Sequence, residues 1–290
     1  MSGPAIEIRG LKKTFPRFTL GPLDLTVPAG AIYGFIGPNG AGKTTTIDLI
    51  FGIGVKDAGS IEVLGLDHLT DEVAMKQQVG YVSPELNFQP WGRVRRAIQF
   101  VRGFYPTWDE TYCSRLMTTF HLDGDDRILT LSSGGRIKLA LVLALAWRPA
   151  VLILDEPTAG LDAIAKQEVF AELLAAVQDG DRTVFISSHS LSDLERIADH
   201  VGMIRNGRLL FEGATLDIVE RFRLVDFAAN GSVAFADQPG CRVQAHEGDR
   251  WRVLIDTERT AISRLEALGA RRIADSPITL EDLFVTMGRD

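Results

Sequence analysis

The chain has 290 residues, 46% hydrophobic and 24% charged, with a formal net charge of −7. Those proportions fit an ordinary globular protein of one large or two smaller domains, long enough for a well-buried core. The acidic balance excludes a global basic footprint for nucleic acid. Cys113 and Cys241 are too few and too far apart for a disulfide framework or zinc spacing, so a reducing compartment is expected.

The opening stretch "MSGPAIEIRG" lacks the basic and apolar regions of a signal peptide. The segments "AIEIR" (5–9), "LDLTV" (23–27) and "SIEVL" (60–64) alternate apolar and polar residues, which predicts a half-exposed antiparallel layer. Between them "AIYGFI" (31–36) is continuously apolar, as a buried strand requires; a glycine-rich loop and a helical pattern from Thr44 follow. Residues 87–130 set Pro90, Gly92, Gly103, Pro106 and Gly124 between aromatic helical pieces, predicting a nested helical subdomain over about 87–140. Arg93, Arg95 and Arg96 read there as a solvated helix face. A helix is expected from about Ile137.

The longest apolar run, 139–154, is broken by Arg148 and Pro149 and ends in two carboxylates, so it is not expected to span a membrane. The chain is expected to be soluble by itself, with any membrane role coming through a partner. "VLIL" (151–154), "TVFIS" (183–187) and "VGMI" (201–204) are uniformly apolar runs, which argues for a parallel sheet covered on both faces. After about residue 222 the texture changes. "VDFAA", "SVAFA", "CRVQAH" and "RWRVLID" read as short strands, and two helices follow. In the last helix Thr279 can cap with Asp282, and Leu280, Leu283, Phe284 and Met287 share a face. His246 sits among charged residues and reads as surface.

"GPNGAGKTT", Gly37 to Thr45, matches the phosphate-loop pattern. Glycines let successive N–H groups turn inward around a polyphosphate, and the following helix aims its positive end at the same anion. Lys43 supplies a mobile charge for the β- and γ-phosphates, and the Thr44 hydroxyl suits Mg²⁺. In "VLILDEP" a buried strand delivers Asp155 and Glu156 at its carboxyl end, where open α/β sheets bind ligands. Asp155 can hold Mg²⁺ through water, and Glu156 is placed to polarise an attacking water.

The order phosphate loop, "LSSGG", "LILDEPTAGLD", "ISSH" resembles the nucleotide-binding domain of ABC-type ATPases over roughly residues 5–220. The resemblance implies an α/β fold. It consists of a P-loop NTPase core with a parallel sheet, an antiparallel β layer and the nested helical subdomain, plus a small C-terminal α+β domain. The expected division is 1–222 for nucleotide binding and 223–290 as an accessory domain. Residue by residue, Gly37, Asn39, Gly40, Gly42, Lys43, Thr44 and Thr45 would hold the phosphates of ATP. Asp155 would be the magnesium-linked acid, Glu156 the general base and His189 the switch histidine. Asp162 would end the loop that crosses a dimer interface. Phe15 matches the aromatic that stacks on adenine, with a core phenylalanine as the other reading.

Ser132 and Gly134 match the family's signature turn, which faces the nucleotide of the opposite subunit, so that two chains sandwich two ATP molecules. Two departures stand out. Ser133 and Gly135 replace the first glycine and the glutamine of that turn. The family glutamine after "GY-x-x" is absent, with Pro84 at the ungapped position and Glu85 one step on. Either Glu85 approaches the metal or water in its place, or the coupling is altered.

The function implied is a Mg-dependent ATPase subunit of a transporter that drives a separate membrane permease, with "GFYPTWDE" (103–110) resembling the bacterial ABC-2-type exporter branch. A homodimer is preferred to a heterodimer, and no nucleic acid partner is expected. The expected location is cytoplasmic, peripheral on the inner face of the cell membrane. The groove between the Pro84 loop and the helical subdomain would receive a short permease helix. The alternative is a soluble ABC ATPase acting as a regulatory switch or on nucleic acid or ribosomes.

Overall fold

The computed structural model describes residues 3–178, 182–229, 235 and 238–287. The chain forms two compact bodies, Met1–Ser190 with Ile197–Glu212, and Leu191–Arg196 with Gly213–Asp290. Among the described residues no helix is long and apolar enough to cross a membrane.

The chain begins with β1 (Ile6–Phe15), β2 (Phe18–Val27), β3 (Ile32–Ile36), α1 (Lys43–Ile50), β4 (Ala58–Val63), β5 (Leu66–Asp67), α2 (Glu72–Lys76) and β6 (Val79–Val82). It continues through α3 (Val94–Arg102), α4 (Glu110–Thr119), α5 (Ser133–Leu145), β7 (Val151–Asp155), α6 (Ala163–Gln178) and β8 (Thr183–Ser188). After α7 (Leu191–Glu195), which belongs to the second body, come β9 (His200–Arg205) and β10 (Arg208–Ala214).

Two sheets make the first body. The antiparallel layer has the order β2-β1-β4-β5, and from Leu23 to Val27 its residues alternate strictly between buried and exposed. The second sheet has the order β10-β9-β3-β8-β7-β6, with β3, β6, β7, β8 and β9 paired in parallel. Every residue of β3, β7 and β8 is buried, which is why these strands read as unbroken apolar runs. Phe185 of β8 packs against both Tyr33 and Phe35 of β3, with ring centroids 5.5 and 5.4 Å apart.

The helical pieces between β6 and β7 pack around Val94, Ala97, Ile128, Leu139 and Leu143. Arg95 reaches Asp125 at 2.6 Å and Arg93 lies 3.6 Å from it, so part of the basic cluster is paired. One boundary is corrected. The helix expected from Ile137 begins at Ser133, because Ser132 caps it by accepting the Gly135 N–H at 3.0 Å. The turn residues are therefore the first turn of the helix itself.

The second body adds α8 (Thr215–Arg221), β11 (Phe222–Ala228), β12 (Cys241–Glu247), β13 (Arg250–Asp256), α9 (Ile262–Ala267), β14 (Arg271–Pro277) and α10 (Leu280–Met287). Its antiparallel sheet has the order β12-β13-β11-β14. Val225, Phe227, Trp251, Val253, Ile255 and Leu265 form the core. The strand β14 escapes a sequence reading because "RRIADSP" is polar and ends in proline; at the sheet edge its side chains are mostly exposed. "SVAFA" lies outside the described residues except for Phe235, which is buried against Phe227 and Trp251. His246 is exposed as expected, yet its ring stacks on Trp251 at 3.7 Å.

Two outcomes follow from these local contacts. Thr279 Oγ1 accepts the Asp282 N–H at 3.0 Å and donates to Asp282 Oδ2 at 2.9 Å, a reciprocal cap on α10. Thr279→Ala is expected to weaken α10 by about 1 kcal/mol, read as faster amide exchange over residues 282–287; unchanged exchange would show the cap to be idle. Both thiols are buried, and burial pushes Cys113 up to about 11. The native chain is therefore expected to resist a thiol reagent at pH 8 and to react fully only when unfolded. Fast labelling of either cysteine in the folded chain would contradict this packing.

Candidate nucleotide site

The phosphate loop leaves β3 at Ile36 and enters α1 at Lys43. Two of its glycines are dictated by space. A Cβ on Gly37 would sit 2.3 Å from the Ile204 carbonyl oxygen, and Gly42 combines φ +112° with a Cβ position 2.9 Å from Leu20. Asn39 and Gly40 are exposed at the tip, and Thr45 is half-buried. Lys43 is folded back into the loop, where Nζ donates to the carbonyls of Gly37 at 2.7 Å and Pro38 at 3.4 Å. The Thr44 hydroxyl donates to Asp155 Oδ2 at 2.8 Å, joining the loop to the end of β7.

Asp155 is buried, and its other oxygen, Oδ1, accepts from Ser187 Oγ at 2.5 Å. Glu156 has φ +48°, a left-handed conformation that costs a non-glycine residue energy and is held by its surroundings. Its Oε2 lies 2.8 Å from His189 Nδ1, and its Oε1 lies 3.2 Å from Lys43 Nζ. That Oε1 is buried and accepts no hydrogen bond, so the lysine charge is its partner. Lys43, Glu156 and His189 thus stand in a row, with Thr44 and Asp155 alongside.

Two residues missed by motif reading border this group. Asp48 lies one helical turn beyond Thr44, on the same face of α1. Burial first, then the charges of Asp155 and Glu85, hold its carboxyl above the usual range. Glu85 itself is exposed after β6, with its N–H bonded to Ser83 Oγ at 3.2 Å. The helical spacing from Thr44 was the available signal for Asp48. Ser187 lies in "ISSH", a motif read only for His189; its own contacts appear in the strand register.

The other expected site residues gather elsewhere. Ser132 is exposed at the start of α5, and Gly134 packs so tightly on Leu161 that a Cβ would come within 2.8 Å of it. Asp162 Oδ1 accepts the Ala165 N–H at 2.9 Å, capping α6. Among the described residues no hydrogen bond or ion pair links Ser132, Gly134 or Asp162 to the phosphate loop. Phe15 is 41% exposed beside Phe18, so it is a surface ring rather than a core one. Phe18 in turn reaches the Gly42 side of the phosphate loop.

The donor set suits a hard divalent cation. The Thr44 hydroxyl and the Asp155 carboxylate are oxygen donors 2.8 Å apart, and Glu156 Oε1, paired with Lys43, accepts no hydrogen bond. Among the described residues no group of three or more His, Cys, Asp or Glu side chains is arranged to hold a metal.

Known proteins resemble this chain in sequence and in fold. The family model described as "ABC transporter" matches residues 20–159. The ABC transporter ATP-binding protein YtrB of Bacillus subtilis is 29% identical over 283 residues, covering 97% of both chains. Nod factor export ATP-binding protein I of Burkholderia lata is 30% identical over 297 residues, covering 98% of this chain and 97% of the relative. A solved structure of an ATP-binding subunit of an ABC transporter superposes with a TM-score of 0.67 at 25% identity, over 75% of this chain and 92% of that one.

Removing the Lys43 charge tests the loop directly. A hydrogen bond to a charged group contributes about 1.5–3 kcal/mol, so Lys43→Ala is expected to weaken ATP binding by about 10- to 100-fold. Titration with a fluorescent ATP analogue would measure it, and an unchanged Kd would remove Lys43 from the site.

Proposed function

The chain belongs to the ABC transporter family of ATP-binding proteins, and on that premise we propose that it is the ATP-hydrolysing subunit of an exporter, acting as a dimer on a separate membrane permease. The observation that carries this reading is the row Lys43–Glu156–His189 set beside the Thr44–Asp155 bond. It supplies a phosphate cradle, a base and a γ-phosphate sensor within one contact network.

ATP lays its phosphates along the loop Gly37–Thr45, and the γ-phosphate competes with Glu156 for Lys43. Release from the lysine leaves Glu156 Oε1, buried and without a hydrogen bond, as the atom that accepts a proton from the attacking water. His189, on Oε2, holds the carboxylate in place. Thr44 and Asp155 are the residues that would hold Mg²⁺, with Glu85 as a third candidate. When bound, the cation offsets the charge on the phosphate oxygens. Phe15 offers its exposed ring to the adenine.

The signature turn supports a two-chain site. Ser132 and Gly134 stand at the N-terminus of the 13-residue helix α5, whose dipole favours an anion, and their own phosphate loop is not their partner. A second copy supplies that anion through its bound ATP, with Asp162 at the crossing loop. Two ATP molecules then close the dimer, and hydrolysis opens it.

The permease contact is read from two adjoining hollows. One, of about 280 Å³, is lined by Pro84, Glu85, Phe88, Arg136 and Ile137. The other, of about 240 Å³, is lined by Tyr81, Phe88, Tyr105, Leu143 and Trp147. An apolar floor with a polar rim fits a short amphipathic helix of the permease. On this reading the chain works in the cytoplasm, against the inner face of the membrane. The export direction is supported by the Nod factor export relative.

Glu156→Gln keeps the shape of the base but not its charge, so ATP and Mg²⁺ are expected to trap a stable dimer, seen as doubled mass by light scattering. A variant that stays monomeric at saturating ATP would contradict the sandwich.

A further inference from the structure

Ser187 lies within "ISSH", where the sequence reading gives a role only to His189, yet it stands at the centre of the acidic pair. The parallel pairing of β7 with β8 sets Asp155 opposite Ser187 at the last rung of the ladder. Ser187 is fully buried, and its hydroxyl is used in both senses. Oγ donates to Asp155 Oδ1 at 2.5 Å and accepts the Glu156 N–H at 3.0 Å. The same N–H lies 3.3 Å from the Ser187 carbonyl, so it is shared between two acceptors of one residue.

We infer that Ser187 is a positioning residue for ATP hydrolysis, fixing the Asp155 carboxylate and the Glu156 main chain at once. The inference rests on the roles given above to Asp155 and Glu156. With Thr44 on Oδ2 and Ser187 on Oδ1, the Asp155 carboxylate is pinned at both oxygens and its plane cannot turn. The hydroxyl also anchors Glu156 where its backbone takes the left-handed conformation, and that conformation aims the Glu156 carboxylate at Lys43 and His189. The neighbouring Ser188 serves the other side, its Oγ accepting the Ser190 N–H at 2.9 Å and shaping the turn that carries His189. The two serines of "ISSH" thus divide the work. One orders the acids and the other orders the histidine.

Alanine at 187 leaves Asp155 Oδ1 without its hydroxyl donor at a buried position. The carboxylate then turns about Thr44, and Glu156 loses its anchor, while the phosphate loop keeps every contact of its own. The experiment compares Ser187→Ala and Ser187→Thr with the unaltered chain. It records turnover, melting temperature, and fluorescent-ATP binding in EDTA and in MgCl₂. Losing one hydrogen bond to a charged group gives an expected fall in kcat of about 10- to 100-fold for alanine. Binding in EDTA is expected to stay within about twofold, and the tightening produced by MgCl₂ is expected to shrink. Threonine, which keeps the hydroxyl, is expected to restore most of the turnover and of the MgCl₂ effect.

Should threonine's extra methyl lower the melting temperature, Ser187→Cys, close to serine in size with a weak donor, is expected to fall between alanine and the unaltered chain. Alanine with undiminished turnover overturns the inference. So does alanine that loses ATP binding in EDTA as severely as in MgCl₂, which marks a packing residue. Lys43→Ala and Glu156→Gln run beside them as separate arms. Turnover surviving in both would overturn the site reading itself, whereas turnover lost in both but kept in Ser187→Ala overturns only the role of Ser187.

Discussion

The hydrogen bond from Thr44 to Asp155 joins residues 111 positions apart, and the candidate site depends on it. It forms because β8 lies between β3 and β7 in a parallel sheet, which brings the carboxyl ends of all three strands to one edge. The phosphate loop follows the first, the acidic pair ends the second and His189 follows the third. The apolar strands can be buried on both faces because their hydrogen bonds are satisfied within the sheet, and packing of Phe185 against Tyr33 and Phe35 holds two of them together. Polar chemistry is thereby confined to the edge. There it takes the form of one connected group in which Asp155 is held from both sides and Glu156 is held by Lys43 and His189.

That arrangement also stores a conflict. Lys43 is buried and makes an ion pair with Glu156, whose Oε1 accepts no hydrogen bond. A phosphate anion competes for the same ammonium group, so nucleotide binding and release of the base are one event in the proposed cycle. The left-handed backbone at Glu156 belongs to the same economy: a strained residue is tolerated where the fold over-determines its position.

Local pattern revealed most of the core and little of its fine placement. Gly37, Lys43 and Thr44 were readable because a phosphate loop needs those residue types at fixed spacing. Uniform hydrophobicity exposed β3, β7 and β8 for an equally simple reason. The start of α5 was not readable from hydrophobicity, since Ser132 caps a first turn of serine and glycine that carries no apolar stripe. Polar β14 was hidden because an edge strand has no buried face to advertise itself. Asp48 and Ser187 gain meaning only from helix phase and strand register, which join them to Asp155 in space. The departures at Ser133, Gly135 and Glu85 were visible as sequence. Their surroundings are now specific: a Cβ on Gly160 would lie 3.7 Å from Ser133 Oγ, and Glu85 shares the field of Asp48.

In the proposed dimer each working site is built from two chains, with Lys43 from one and Ser132 from the other. Mixing a Lys43→Ala chain with a Ser132→Arg chain tests it, because each alone forms only damaged sites while a mixed dimer contains one intact pair. The expected result is ATP hydrolysis that is absent from either variant and returns on mixing. Full hydrolysis by Ser132→Arg alone, or no recovery in a mixed dimer whose formation has been verified, would rule out a site shared between chains.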